Sequence, residues 1–313
     1  MILRAYLLPA WWRLGALGVL LSLLGLPTAQ AQQRVQVVTR TVAQTWNCPP
    51  GMVVRIRAEK ATVQVRGWDR PTVQVTLRLS ARHAEREVAV QDLPVAQYRL
   101  QQNGNALDLI NLFVLPAGAP AVRSDLRAEY TVLMPAANPL QVVNAYGQTE
   151  LSDLSGVQKL EQNFGKISLR NLRGTLTATA RYADLGATNV QADFTCEANK
   201  STVQLLGLGG SCFVRNYYGS VRVQPAAGLR KLVVEADRTE VVISAVEPEL
   251  FSYQLNVLQG ELAVPTAYAT AKKTSATRAS LTTRPAAGPR PLVRVSTSYA
   301  SLTLQTQLLS SQF

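Results

Sequence analysis

A repeat of 18 residues most constrains what this chain can fold into. Segments 143–147, 162–165 and 216–219 resemble one another, and the positions between them keep the same spacing. One slot of the repeat returns four times in succession, at Tyr146, Phe164, Tyr182, Lys200 and Tyr218. The slot after it always holds a small residue: Gly147, Gly165, Ala183, Ser201 and Gly219.

Within each repeat, apolar and polar residues alternate with a period of two, which is typical of half-buried β-strands and not of helices. A unit of 18 residues cannot enclose a core of its own, so neighbouring units must stack, with equivalent strands at about 4.8 Å. The pattern therefore predicts an all-β protein, a single-stranded parallel β-helix (a β-solenoid) with 18-residue rungs. Equivalent residues of successive rungs would then form ladders.

The same template fits less regularly around Lys60, Arg238, Gln259 and Tyr299. The spacings after Tyr218 are 20, 21 and 40 residues, which predicts a degraded rung near residues 278–283. We divide the chain into an N-terminal extension at 32–52, first rungs with a hairpin insertion or cap at 53–135, and solenoid repeats at 136–313. Because residues 265–291 are rich in Ala, Thr, Lys and Pro, we expect a mobile loop there.

Residues 1–31 have the features of a signal peptide. Arg4 and Arg13 supply positive charge, residues 14–26 form an apolar run, and residues 27–31 end in a small-x-small cleavage pattern. The run is short for a membrane span, which needs about 20 residues; an N-terminal anchor is the alternative. Cleavage leaves 30 basic and 20 acidic residues, a net charge of +10. The sequence predicts export to the periplasm or cell surface, with no transmembrane segment in the mature chain.

The residue inventory argues against an enzyme, a metal site or a cofactor. His83 is the one histidine and lies in a charged run without a catalytic signature. Carboxylates such as Asp153, Glu161, Asp184, Glu197 and Glu235 fall in different columns of the repeat. Basic residues are likewise dispersed, which argues against nucleic acid as a partner. Cys196 and Cys212 do not share a register position on adjacent strands, and strand geometry places their Cα atoms about 8 Å apart, too far for a disulfide. We therefore expect buried free thiols, with a disulfide as the alternative.

Four aromatic residues are the candidate ligand-facing side chains. They share one slot of the repeat and would form a ladder at a corner: Tyr146, Phe164, Tyr182 and Tyr218. Exposed, such a row could stack on sugar rings; the alternative is a purely structural ladder packed under the turn. Two residues earlier, Asn144, Gln162 and Asn216 are expected to satisfy one another inside the sheet.

A family resemblance rests on two kinds of motif. After a first strand comes the segment Arg66-Gly67-Trp68-Asp69-Arg70-Pro71, and Asn-x-Tyr-Gly and Leu-x-Gly turns then recur. Over roughly residues 50–305 the chain resembles the bacterial putative-adhesin family with β-strand repeats, exported proteins of unknown function. The resemblance implies a right-handed, single-stranded parallel β-helix in the envelope and supplies no ligand residues.

Three functional hypotheses follow. The first is a non-enzymatic, adhesin-like surface or envelope interaction protein that binds envelope polysaccharide or another envelope protein along a ladder face. The second is a periplasmic sensing or regulatory partner of an envelope stress system. The third is a β-helix carbohydrate-active enzyme, which requires two carboxylates, or a carboxylate with Arg or Lys, in one groove.

Overall fold

The computed structural model describes residues 35–283 and 290–309, so the predicted signal peptide lies outside the described residues. The described chain is all-β, with 20 strands in one mixed sheet that is not closed. The one α-helix of this part is α1 (Arg86–Asp92), which buries Val88 and Ala89. No helix in these two ranges has the length and apolar character needed to cross a membrane.

The strands divide into three groups along the chain. Seven precede residue 140: β1 (Gln36–Asn47), β2 (Val53–Ala58), β3 (Ala61–Trp68), β4 (Thr72–His83), β5 (Ala96–Asn103), β6 (Ala106–Phe113) and β7 (Asp125–Pro135). Seven cover the regular repeats: β8 (Leu140–Asn144), β9 (Gly147–Ser152), β10 (Val157–Gln162), β11 (Gly165–Arg170), β12 (Arg173–Arg181), β13 (Ala183–Thr188) and β14 (Gln191–Ser244). Six follow: β15 (Ser252–Leu258), β16 (Leu262–Ala263), β17 (Lys272–Thr274), β18 (Arg278–Thr282), β19 (Leu292–Ser298) and β20 (Leu302–Gln305).

In the regular part, residues 18 positions apart lie opposite each other on parallel strands. β8, β10, β12 and β14 pair in this order, which brings Val142, Leu160, Ala178 and Cys196 into line. All four side chains are buried and belong to the main hydrophobic core. The alternation of buried and exposed residues along each strand therefore follows the apolar periodicity of the sequence.

The second strands of the repeats, β9, β11 and β13, form a parallel series of their own. Gly147 and Gly165 open two of these strands, with positive φ values of 127° and 111°. A Cβ atom on Gly165 would lie 1.9 Å from the carbonyl oxygen of Gly147. The corner between the two strands of a repeat thus needs a residue without a side chain at this point.

At both ends of the sheet, the order of strands departs from the order of the chain. β2 and β3 lie between β6–β7 and β8–β9, because each pairs with both neighbours in parallel. β19 and β20 likewise lie between β14 and β15–β16. We predicted stacking in chain order, and at the two ends that prediction is wrong.

The sheet is mixed because several end strands run antiparallel. β1 pairs with β4, β4 with β7, and β5 with β6 around the turn at 104–105. At the other end, β18 pairs antiparallel with β15 and β17. We predicted a hairpin insertion or cap at 53–135 beside a parallel solenoid, and the antiparallel pairs of β1 with β4 and of β18 with β15 and β17 go beyond that prediction. In these regions strands reverse and cover edges that would otherwise be unpaired.

Residues 265–283 form a short 3₁₀ helix, Thr266–Ala271, followed by β17 and β18, where we expected a loop. Tyr268 packs on Tyr253, with ring centroids 5.9 Å apart, and Ala279 and Leu281 are buried. β18 occupies the region of the predicted degraded rung, but it runs antiparallel to β15 and so is not a parallel rung. The alternation of Ala279 and Leu281 was the signal in the sequence for this strand.

Candidate binding surface

One corner of the repeat carries a row of exposed side chains that crosses the sheet. We call it the corner row: Lys60, Tyr146, Phe164, Tyr182, Lys200, Tyr218, Arg238, Tyr299 and Gln259, in spatial order. The pairing of adjacent residues fixes this order, with Gly147 opposite both Ala61 and Gly165, and Ser298 opposite both Asp237 and Leu258. Neighbours in the row are therefore one strand spacing apart, about 4.8 Å.

Three of the four predicted ladder residues stack directly on one another. The ring centroids of Tyr146 and Phe164 are 5.0 Å apart, and those of Phe164 and Tyr182 are 5.3 Å apart. The interplanar angles are 6° and 15°, so the rings are nearly parallel. Their exposed fractions are 48%, 41% and 51%, which places the ladder at the surface and not under the turn.

The fourth predicted residue, Tyr218, is separated from this stack by Lys200. The Lys200 ammonium lies 5.0 Å from the centre of the Tyr182 ring and donates a hydrogen bond to its hydroxyl at 3.2 Å. Tyr218 instead contacts Tyr217 edge to face, with ring centroids 4.5 Å apart. Beyond it, the Arg238 guanidinium lies 5.4 Å from the Tyr218 ring and 5.2 Å from the Tyr299 ring.

The row thus combines aromatic rings with cations, and our sequence-based candidates included only its aromatic part. Lys200, Arg238 and Tyr299 were not proposed as contact residues, although all three occupy the same slot of the repeat. The contact between Arg238 and Tyr299 depends on the insertion of β19–β20 beside β14, which the spacing does not reveal. The electrostatic attraction of Tyr218 and of Asp237 favours the charged guanidinium and raises the pKa of Arg238.

The orientation of the aromatic rings limits which ligand groups they can contact. Phe164 has a ring stacked on each face, and the faces of Tyr182 are covered by Phe164 and Lys200. A sugar or a nucleobase needs a free ring face for stacking. What these residues present to solvent is therefore mainly ring edges and hydroxyl groups.

An inner row of buried polar residues forms hydrogen bonds to the backbone of the corner. The Asn144 amide donates hydrogen bonds to the carbonyl of Ala61 at 3.0 Å and to the Thr149 hydroxyl at 3.2 Å. The Gln162 amide donates to the carbonyls of Gly147 and Phe164, at 3.0 and 2.7 Å. These residues mostly satisfy backbone carbonyls of the corner, where we had expected amide-to-amide ladders.

Asn216 continues the inner row further along the sheet. Its side chain is buried, and its amide donates a hydrogen bond to the carbonyl of Ser201 at 3.2 Å. At the next repeat the equivalent position holds Ala236, and Thr239, the residue after Arg238, donates to the carbonyls of Asn216 and Asp237, at 3.4 and 2.9 Å. These hydrogen bonds stabilise the corners that they join, whereas the inner position holds Ala180 and Ala198 at the two repeats between Gln162 and Asn216.

Shallow depressions flank the corner row. One of about 470 Å³ lies at the Lys60 end and includes Tyr146, Gly147 and Gly165. One of about 520 Å³ lies at the other end, beside Gln259 and Tyr299. Both open where the small residues after the corner leave space beside the row.

A third depression, of about 270 Å³, lies on the face formed by β9, β11 and β13. Its lining includes Glu150, Lys166 and Arg170, and Gly186 provides its floor. A carboxylate and two basic residues thus line this cavity together with a glycine, and the depression at the Lys60 end likewise combines carboxylates with basic residues. Among the described residues, no group of three or more His, Cys, Asp or Glu side chains has a geometry suited to a metal ion.

The remaining sequence candidates lie apart from this surface. His83 is on the N-terminal cap side, and its ring nitrogen accepts a hydrogen bond from the Glu85 backbone. Cys48, Cys196 and Cys212 are all buried free thiols, as expected for the last two. Burial raises the pKa of Cys196 to about 12, and its neighbour Glu197 adds to the shift. The carboxylates are dispersed, and several form exposed ion pairs with arginine, such as Glu161 with Arg181 at 2.6 Å.

No protein-family model matches this chain, and no curated protein resembles it detectably in sequence. Several solved structures are similar to it at a distance, among them the following three. A putative adhesin from Bacteroides fragilis is 7% identical, with a TM-score of 0.42 over 85% of this chain and 97% of its own. A putative adhesin from Parabacteroides distasonis is 10% identical, with a TM-score of 0.38 over 85% and 97%. A putative lipid binding protein from the same species is 8% identical, with a TM-score of 0.33 over 84% and 96%. These values are too low to establish a family or a shared function.

Proposed function

We propose that this chain is an exported, non-enzymatic β-solenoid that acts as an adhesin-like interaction protein of the cell envelope. Its contact surface is the corner row. One observation carries the proposal: exposed aromatic and cationic side chains follow one another without interruption from Lys60 to Tyr299.

The solenoid part of the proposal is supported by the pairing in the regular repeats. Each repeat contributes two strands, and each strand pairs in parallel with its equivalent 18 residues away. Glycines or left-handed residues separate the two strands at the corner. A chain that repeats this unit winds into a rod whose equivalent residues lie in straight rows.

Backbone conformation supports a role in binding. Tyr182, Lys200, Tyr218, Arg238 and Tyr299 all have φ between 46° and 59°. This left-handed region suits glycine and asparagine, and a bulky residue there costs about 1 kcal/mol. A corner needed only for folding would be more stable with Gly or Asn, so the aromatic and cationic residues point to selection for their side chains.

Surface composition supports the same role. Tyrosine and arginine are the residue types enriched at protein contact surfaces, and contiguous exposed apolar groups mark interaction sites. The signal-peptide pattern at residues 1–31 supports export, which would place the row in contact with envelope components.

The test is binding to sedimented bacterial envelope fragments with and without the row. We replace the four ladder aromatics together: Tyr146→Ser, Phe164→Ser, Tyr182→Asn and Tyr218→Asn. Asparagine is chosen at the two left-handed positions because it tolerates that backbone. The control replaces two exposed apolar residues away from the row, Val157→Ser and Val246→Ser.

We expect the wild type and the control to sediment with the fragments and the ladder variant to lose at least about tenfold in affinity, since hot-spot side chains dominate such contacts. Circular dichroism and thermal unfolding establish that the variant is folded. Equal binding by the folded ladder variant, or no binding by the wild type, would overturn the proposal.

A catalytic function is the second candidate, because Glu150, Lys166 and Arg170 line one depression. A glycosidase or lyase acting there would release reducing ends or unsaturated products from a polysaccharide. Glu150→Gln would abolish that release and leave envelope binding unchanged. Sustained product release by the wild type would show that the protein is an enzyme.

A further inference from the structure

We propose that the corner row binds an anionic polysaccharide, with one chain lying along the row and its acidic groups against Lys200 and Arg238. This inference rests on the proposed function and names the ligand class of the same surface. It follows from the charge of the row, from the orientation of its rings and from its width.

The charge of the row has one sign. Its cations are Lys60, Lys200 and Arg238, and no Asp or Glu occupies the same slot at any repeat of the row. Asp237 forms a 3.3 Å ion pair with Arg238 and also accepts a hydrogen bond from the Ser298 hydroxyl, and Asp125 and Glu129 line the depression at the Lys60 end. A ligand with negative charges at intervals would find Lys200 and Arg238 in line, with Asp237 as the acid that opposes binding beside Arg238.

The aromatic part of the row favours the same ligand. An aromatic ring is electron-rich on its faces and partly positive at its edge. Because the Phe164 and Tyr182 faces are covered, their edges point outward and attract anionic oxygen atoms weakly. The hydroxyls of Tyr146 and Tyr299 can donate hydrogen bonds to the same kind of acceptor.

The dimensions of the row fit a single extended chain. From Tyr146 to Tyr299 it spans six strand spacings, about 29 Å, and it is one residue wide. Beside its Lys60 end, Gly147 and Gly165 line a depression that is open to a polymer. The inner row fixes the corners, so the contacts are in place before binding and little ordering is needed.

Other anionic partners fit less well. A single-stranded nucleic acid would use free ring faces for base stacking, and the faces of Phe164 are covered on both sides. A membrane surface engages a broad patch with inserted apolar side chains, whereas this row is narrow. Both remain as outcomes that the experiment detects.

The experiment measures the affinity of the mature full-length chain for polygalacturonate, with dextran of matched length as the neutral polymer. Salt is set at about 0.1 M and about 1 M, where the Debye length falls from about 10 Å to about 3 Å. The row variant is Lys200→Gln/Arg238→Gln. Its charge-matched control is Lys159→Gln/Lys231→Gln, which removes two exposed cations from strand positions away from the corner.

We expect binding to polygalacturonate that weakens at least about tenfold in high salt, and no binding to dextran. The row variant should lose about tenfold and the control less than about twofold. A third variant, Asp237→Asn, removes the acid beside Arg238 and should strengthen binding by about twofold.

The outcomes separate this inference from the proposed function. If the folded row variant binds polygalacturonate as the wild type does, or if dextran binds equally well, the inference is overturned, while aromatic-dependent binding to envelope fragments would leave the proposed function standing. Preferential binding to phosphatidylglycerol vesicles or to single-stranded DNA would overturn it in favour of those partners. Absence of any envelope binding by the wild type would overturn both the inference and the proposed function.

Discussion

Two rows of side chains run along the same corner, two residues apart in sequence, and they differ in burial and in hydrogen bonding. The inner row, with Asn144, Gln162 and Asn216, is buried and donates hydrogen bonds to carbonyls that the corner turns inward. The outer row, with Tyr146, Phe164 and Tyr218 at the corresponding positions, is exposed by 38–48% and ties down little of the backbone.

This difference distinguishes side chains that the fold needs for its stability from side chains that it does not need. A buried carbonyl without a partner costs about 1–3 kcal/mol, so the inner amides are accounted for by stability alone. The outer aromatic and cationic residues are not needed to satisfy buried carbonyls, and several occupy a backbone region that disfavours them. Stability should therefore depend on the inner row and binding on the outer row.

The corner that both rows share should be the most sensitive position. In Gly165→Val the new side chain meets the Gly147 carbonyl oxygen, since even a Cβ atom would lie 1.9 Å from it, and φ is +111°. We expect a loss above about 4 kcal/mol, measured by chemical denaturation, or failure to fold. Gly104→Ala is the control, at φ +56° with no atom within 4 Å, and should cost about 1–2 kcal/mol. Equal effects would show that the corner is not closely packed.

The inner row comes next in expected effect. Gln162→Leu removes the donors to the Gly147 and Phe164 carbonyls and should lower the free energy of unfolding by about 2–3 kcal/mol. Gln141→Leu, on an exposed position of β8, should change it by less than about 0.5 kcal/mol. The two are compared by urea denaturation, and a neutral Gln162→Leu would contradict the role assigned to the inner row.

Substitutions in the outer row should lower affinity and change stability little. Tyr182→Asn loses the stack on Phe164 and relieves the left-handed backbone strain, so we expect a net stability change under about 1 kcal/mol. Affinity for polygalacturonate should fall about threefold. Tyr98→Asn, an exposed tyrosine on β5, should leave affinity unchanged. A large loss of stability with unchanged binding would reverse the assignment of the two rows.

The smallest effect concerns the buried thiols inside the same sheet. Because the Cys196 pKa is raised from 9.0 to about 12, its thiol stabilises the fold below pH 9, and this contribution is lost as pH rises from 9 towards 12. Between pH 8 and pH 9.5 the wild type should lose about 0.8 kcal/mol more than Cys196→Ala. Identical pH profiles for the two proteins would mean that the thiol is not buried.

The sequence predicted the regular repeats well because their spacing carries the pairing directly. Residues 18 apart, such as Leu160 and Ala178, lie opposite each other, and the slot that defines the corner row was visible from Tyr146 to Tyr218. Burial of the inner amides also followed from the alternation of apolar and polar residues.

The ends of the sheet and the chemistry of the row could not be read in this way. Tyr299 neighbours Arg238 because β19–β20 insert out of chain order, and a periodic pattern has no means of encoding such an exchange. Ring orientation depends on side-chain torsions, so the covered faces of Phe164 were not foreseeable from its slot. The spacing predicted a rung near residues 278–283, but the antiparallel direction of β18 was not foreseeable, because the alternation of buried and exposed residues is the same for both strand directions.

The most direct test of the account is hydroxyl-radical footprinting of the chain with and without polygalacturonate, read out at individual aromatic side chains. We expect protection of the row residues Tyr146, Phe164, Tyr182, Tyr218 and Tyr299. We expect no change at Tyr98, which is 37% exposed and lies outside the row. Protection at Tyr98 with unchanged labelling along the row would show that the corner row is not the binding surface.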